Sequence, residues 1–255
     1  MSTSTPVDSP ETTATEPPLR PAFVTTHWSV VLTAARSDTT SAHDALAKLC
    51  EAYWPPLYAF VRRRGYSPED AQDLTQGFFE HLLGKNAVAT VSPAKGRFRS
   101  FLLASLNNFL AGEWTKARAQ KRGGGKVVSL DTQSAEAWLN HEASHNFTPE
   151  KAFELRWAIT LLEQVYRQLE EEHHARGKVE LFAALRTTLA GSSSGAPYAA
   201  LAQQLGLSDA GVRVAVHRLR RRYRELLRET IAETVGSRAE VEEELRDLMR
   251  ILADV

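Results

Sequence analysis

Residues 198–228 read YAALAQQLGLSDAGVRVAVHRLRRRYRELLR, and this stretch decides the fold class. Tyr198 to Leu205 has the length and apolar spacing of a short helix. Gly206 and Leu207 supply a tight turn, and Ser208 with Asp209 caps a second helix that runs to about Arg228. In that second helix Val212, Val216, Leu219 and Tyr223 share one face, while Arg213, His217, Arg220 and Arg224 share a neighbouring face at the same spacing. One face suits burial and the other suits phosphate. Ala210 and Gly211 keep the start of the helix slim, so its backbone amides and dipole can approach a nucleic-acid groove. The bland alternative is a solvated basic helix at the edge of a bundle, but the arginines exceed what solubility requires.

The rest of the chain follows the same helical grammar. Leu46, Leu49, Cys50 and Tyr53, and then Leu74, Phe78 and Leu82, recur at helical period, and no alternating run bounded by hairpin turns interrupts them. The expected fold is all-α. Ser67-Pro68-Glu69-Asp70 reads as an N-cap, a first-turn proline and acids at the positive end of the dipole, and Gly65 ends the preceding helix. Pro55 and Pro56 are expected to interrupt or kink the stretch from Ala45 to Arg64, because neither can donate the backbone hydrogen bond. The pattern fades between Gly123 and Pro149, a candidate linker, and a helix restarts at Thr148-Pro149-Glu150. Gly191 to Gly195 reads as a loop.

Composition narrows the class. An apolar content of 43% over 255 residues is enough for real cores. The lone Cys50 rules out a disulfide framework or a Cys-rich zinc module. The N-terminal segment to Pro21 is poor in apolar residues and is expected to be a disordered tail without a secretory signal. No run reaches membrane-spanning length, and a cytoplasmic location is expected.

The formal net charge of zero hides a segregation. Residues 95–126 carry Lys95, Arg97, Arg99, Lys116, Arg118, Lys121, Arg122 and Lys126 against Glu113 alone, and residues 213–228 are similarly basic. The acids gather in Glu69, Asp70, Asp73 and Glu80, in Glu170 to Glu172, and in Glu240, Glu242, Glu243, Glu244 and Asp247. Separated patches imply two kinds of partner. From Phe98 the basic segment is a long helix with interleaved aromatics, a pattern single-strand binders use to stack bases and hold backbone. Phe98, Phe101 and Phe109 have core spacing, so Asn107, Asn108, Trp114 and Lys116 are the exposed candidates.

Together the two halves resemble the sigma factors of bacterial RNA polymerase, of the small extracytoplasmic-function type. Asp70-Ala71-Gln72-Asp73-Leu74-Thr75-Gln76-Gly77-Phe78-Phe79 is similar to the region 2.2 helix. Phe98-Arg99-Ser100-Phe101-Leu102 with Asn107-Asn108 resembles the region that melts and reads the minus-10 element. Tyr198 to Ser208, with Val212-Arg213 and His217-Arg218-Leu219-Arg220, resembles region 4, which binds the minus-35 element.

The resemblance covers about residues 45–122 and 178–230, with region 3 absent. It implies a region 2 helical bundle over 23–122, a linker over 123–149 and a region 4 helix-turn-helix domain over 150–236. These lie between a tail over 1–22 and an acidic amphipathic helix over 237–255. It also implies binding of core RNA polymerase through the beta-prime clamp helices (Asp73, Gln76, Phe79, Glu80) and the beta flap. The minus-35 contacts would be Arg213, Val214, His217, Arg218 and Arg221, and the minus-10 contacts Asn107, Asn108, Trp114 and Lys116. Val214 and His217 depart from the more usual Ser and bulky apolar residue, and Leu110-Ala111-Gly112-Glu113-Trp114 lacks the common Asp or Arg after the Asn. An anti-sigma factor is a further partner class, and neither a cofactor nor enzymatic activity is implied.

Other readings compete. A stand-alone helix-turn-helix regulator would bind a palindrome as a dimer. His141-Glu142-Ala143-Ser144-His145 satisfies the H-E-x-x-H pattern of zinc peptidases, but it falls in the weakest-patterned segment of the chain. Arg122-Gly123-Gly124-Gly125-Lys126 is followed by Val127 where a phosphate loop needs Ser or Thr, and reads as a hinge. In the last segment Val241, Leu245, Leu248 and Leu252 share a face that is expected to pack within the chain.

Overall fold

The computed structural model describes residues 40–83, 97–119, 147–190, 198–235 and 237–254, with side chains described from Leu49 onward and, in the helix from Phe98, as far as Thr115. Among these residues every regular element is helical. Helix α1 (Thr40–Arg63) passes through Pro55 and Pro56 as one assigned helix. The missing prolyl N–H groups leave the carbonyls of Glu51 and Ala52 without their usual donors, a local loss that tertiary packing outweighs. Tyr53, Leu57, Tyr58 and Phe60 surround the prolines and are all buried. The helix closes at Gly65, whose φ of 91° a side chain would resist.

Helix α2 (Pro68–Leu83) starts where Ser67 Oγ accepts a hydrogen bond from the Asp70 amide at 3.1 Å. Helix α3 (Phe98–Ala119) completes a three-helix unit. Its stripe Phe98, Leu102, Leu106 and Leu110 is buried against α1 and α2, with the Tyr53 and Phe98 rings 5.3 Å apart, edge to face.

Helix α4 (Pro149–Ala175) is capped by Thr148, whose Oγ1 accepts from the Lys151 amide at 3.2 Å. Its 27 residues form a rod of about 40 Å. The first half sets Phe153, Trp157 and Leu161 into the α1–α3 core, and the second half sets Val165 and Leu169 into another. That second core is completed by α5 (Val179–Leu185), the 3-10 turn Arg186–Ala190, α6 (Tyr198–Leu205) and α7 (Asp209–Ala232). Each large aliphatic side chain buried in either core stabilises the fold by about 1.5–3 kcal/mol. The far end of α7, through Ile231 and Val235, returns to the first core.

Helix α8 (Arg238–Ala253) is capped by Ser237 and lies on α4 and α7. The expectation that this segment packs within the chain holds: Val241 and Leu248 are buried, and Leu245 and Leu252 pack at the edge of the first core. Its acids are not all solvated. Glu244 is 1% exposed and accepts two bonds from Arg99, at 2.6 and 3.1 Å, while Asp247 accepts a third at 3.1 Å. The Arg99 guanidinium lies 4.6 Å from the Trp157 ring centroid. A single cluster thus joins α3, α4 and α8.

Removing the cation from such a cluster strands a buried carboxylate, at a cost of about 3–5 kcal/mol, whereas an apolar pair of similar volume is far milder. Arg99→Ala is therefore expected to lower the urea midpoint strongly. Arg99→Met combined with Glu244→Leu should recover most of the loss in the same equilibrium unfolding measurement.

Candidate nucleic-acid interface

The turn between α6 and α7 has the conformation its residues require. Gly206 adopts φ 63°, and the Leu207 amide reaches back to the Ala202 carbonyl at 2.9 Å, closing α6 with a left-handed cap. Ser208 Oγ then accepts from the Gly211 amide at 3.1 Å, and α7 begins. Val212, Val216, Leu219 and Leu226 face the second core, and Tyr223 is partly buried beside them. The helix extends four residues past Arg228 to Ala232.

Seven arginines and three acids occupy α7, and the structure sorts the arginines into two groups. Arg220 is turned inward, donating through Nε and Nη2 to the Thr188 carbonyl at 3.0 and 2.6 Å. Arg222 grips Glu172 of α4, its shortest bond being 2.6 Å, and reaches Glu229 at 3.1 Å. These two brace the helix against α4 and the 3-10 turn. Arg213, Val214, His217, Arg218 and Arg221 lie together on the exposed side of the first turns. Arg213 sits over the Tyr198 ring at 5.7 Å, and Arg221 bonds Glu225 at 2.8 Å on the surface. His217 and Arg218 face solvent with no acidic partner among the described residues. Arg220, grouped by sequence spacing with Arg213 and His217, is thereby removed from the exposed set.

A second surface lies on α3 and α2. Asn108 is exposed and Trp114 is 56% exposed. Asn107 is half-buried, donates to the Leu103 carbonyl at 3.1 Å and accepts from Arg64 through Oδ1. Lys116 falls on the last turns of α3, beyond the described side chains. On α2, Asp73 and Glu80 are exposed two turns apart, and Gln76 between them donates to Glu80 at 3.2 Å. Phe79 does not join them. Its ring is 6% exposed and packs beside Phe78, because residues 71, 75, 78, 79 and 82 form the buried stripe. The H-E-x-x-H stretch His141–His145 and the glycine run 123–125 lie outside the described residues, and no grouping of metal-ligating side chains occurs among the described ones.

Residues 49–120, running from within α1 to just past the end of α3, match the family model of Sigma-70 region 2. No curated protein and no solved structure matches the chain. The match supports membership of the sigma-70 family and a part in transcription initiation, and it falls on the helical unit that carries the Asn108, Trp114 and Asp73 surfaces. No described helix is long and apolar enough to cross a membrane.

The brace of α7 has a pH signature. Hydrogen bonding from Arg222 holds the Glu172 carboxyl below its ordinary value near 4.5. A depressed carboxyl contributes stability that is present above the unfolded-state value and lost as pH falls through the folded one. Glu172→Gln should therefore melt at a lower temperature than the parent at pH 7. The gap should narrow as pH falls below about 4.5, as followed by circular dichroism.

Proposed function

We propose that the chain is a sigma factor of the extracytoplasmic-function type, which joins core RNA polymerase and directs it to promoters without catalysing a reaction itself. The observation that carries this reading is the coincidence of the region 2 match with a helical unit bearing two chemically distinct surfaces. The acidic edge of α2, with Asp73, Gln76 and Glu80, is the surface for the beta-prime clamp helices. Asn108 and Trp114 on α3, with Asn107 at their margin, suit bases released from the minus-10 duplex, because an indole offers a stacking platform and amides bond base edges.

The α6–α7 unit supplies the other half of promoter recognition. A capped helix with slim first residues and an exposed row of Arg213, Val214, His217 and Arg218 fits the major groove of the minus-35 element, with Arg221 reaching the backbone. Duplex contacts position the protein, and contacts to unpaired bases offset the cost of opening the strands. In this reading residues 23–122 and 150–236 are the two functional domains, the protein works in the cytoplasm, and an anti-sigma factor is a partner class it can accommodate.

Arg213→Ala and Arg218→Ala are each expected to weaken promoter binding by the reconstituted polymerase complex by about 1–3 kcal/mol. Their affinity for core polymerase should stay unchanged, as measured by gel shift and by co-purification. Asp73→Arg should behave in the opposite way, weakening core association about tenfold or more, an effect of at least about 1.4 kcal/mol, in a pull-down titration. Tight binding of a palindromic duplex by the isolated chain as a dimer, with no dependence on polymerase, would instead identify a stand-alone regulator.

A further inference from the structure

The cations at the head of α3 are occupied by the chain's own carboxylates. Arg97 is the residue whose carbonyl accepts the first helical bond of α3, from Phe101 at 3.1 Å. Its guanidinium pairs with Asp247, lies 3.1 Å from Glu244 and lies 3.7 Å from Glu243, all on α8. Arg99, two residues on, is 6% exposed and bound to Glu244, Asp247 and the Trp157 ring. The two differ in direction. Arg99 continues the buried stripe of Leu102 and Leu106, whereas a period of 3.6 residues places Arg97 in line with Ala104, Asn108 and Thr115, all exposed. Arg97 itself keeps 27% of its side chain accessible.

Arg97 thus stands on the same face as Asn108, within a row of anionic oxygens spaced along one edge of a helix. Glu243 and Asp247 are one turn apart on α8, and Glu244 is anchored between them by Arg99. Three carboxylates presented to a guanidinium in this way resemble what a nucleic-acid backbone presents. The rest of α8 is held independently, by Val241, Leu248 and Ile251 in the first core and by the ion pair Arg228–Glu242 at 3.1 Å. The acidic edge is therefore not required merely to dock the helix.

We propose that Arg97 is a phosphate-contacting residue of the α3 surface and that the acidic edge of α8 is an intramolecular decoy that occupies it, lowering the affinity of the free protein for single-stranded DNA. Displacing Glu243 and Asp247 exchanges carboxylate contacts for phosphate contacts at the same guanidinium. The inference rests on the reading of α3 as the strand-contacting helix.

The test uses the full chain and a fluorescent single-stranded oligonucleotide, titrated by anisotropy across a salt series. Glu243→Gln with Asp247→Asn leaves Glu244 to hold Arg99, so the fold is retained, which melting curves check. This variant should bind about threefold to fivefold tighter at low salt, with the log affinity against log salt slope steeper by about 0.7, the signature of one more phosphate neutralised. Adding Arg97→Ala should return both quantities to the parent values. Arg97→Ala in the otherwise unaltered chain should change affinity by less than about twofold, because the side chain is already engaged. Unchanged binding by the carboxamide variant, a gain that survives loss of Arg97, or a marked loss from Arg97→Ala alone would each overturn the decoy. Trp114→Ala serves as the separate control on α3. If it binds as the parent does, the strand-contacting role of that helix fails, whatever the carboxamide variant shows.

Discussion

The arrangement of this chain depends on a buried guanidinium. Arg99 lies between the Trp157 ring and the carboxylates of Glu244 and Asp247, so one side chain of α3 is held by α4 and α8 at once. Burying such a charge costs several kcal/mol in lost hydration, and the cost is offset only because the bonds from the carboxylates are short and nearly complete. An apolar substitute would hold the helices together as well. It would not fix their register, whereas a planar fork meeting two carboxylates accepts only one relative placement of the helices. The apolar residues of the first core, contributed by α1, α2, α3, α4, α7 and α8, pack around that fixed point.

Charge on this protein serves two unlike purposes, which is why a net charge of zero says little about it. Some arginines are internal struts: Arg99 on α8, Arg220 on the Thr188 carbonyl, Arg222 on Glu172. Others, such as His217 and Arg218 with Arg213 beside them, stay at the surface. The struts hold the exposed set in place. Without Arg220 and Arg222, α7 would rest on α4 and the 3-10 turn through apolar contacts alone, and its exposed row would be less firmly aimed.

Local features of the fold were legible in the sequence because local chemistry determines them. Ser67, Thr148 and Ser208 each cap the helix that follows, and Gly65 and Gly206 adopt the left-handed conformation that ends the one before. The exposed positions of Arg213, Val214, His217 and Arg218 followed from the same periodicity. What periodicity could not resolve was long-range pairing. Arg99 and Glu244 are 145 residues apart and Arg222 and Glu172 are 50 apart, so no spacing rule links them, and the basic stretch from Lys95 looked uniformly available when two of its arginines are bound. Phe79 was misplaced for a different reason. Adjacent phenylalanines differ by only one step around a helix, and a wide buried stripe takes both. Pro55 and Pro56 show the converse, a strong local signal overridden by the core built around them.

A consequence follows from α4 contributing to both cores along its single length. A stiff rod fixed at one end is a lever, and a tilt of about 10° at the Trp157 end would swing a point some 40 Å away through about 7 Å, close to the width of one groove contact. The α5–α7 unit is mounted near the outer part of that lever. Small adjustments of packing around α1 are thereby magnified where the exposed arginines stand, so side chains deep in one core can tune how the other end of the molecule meets a surface.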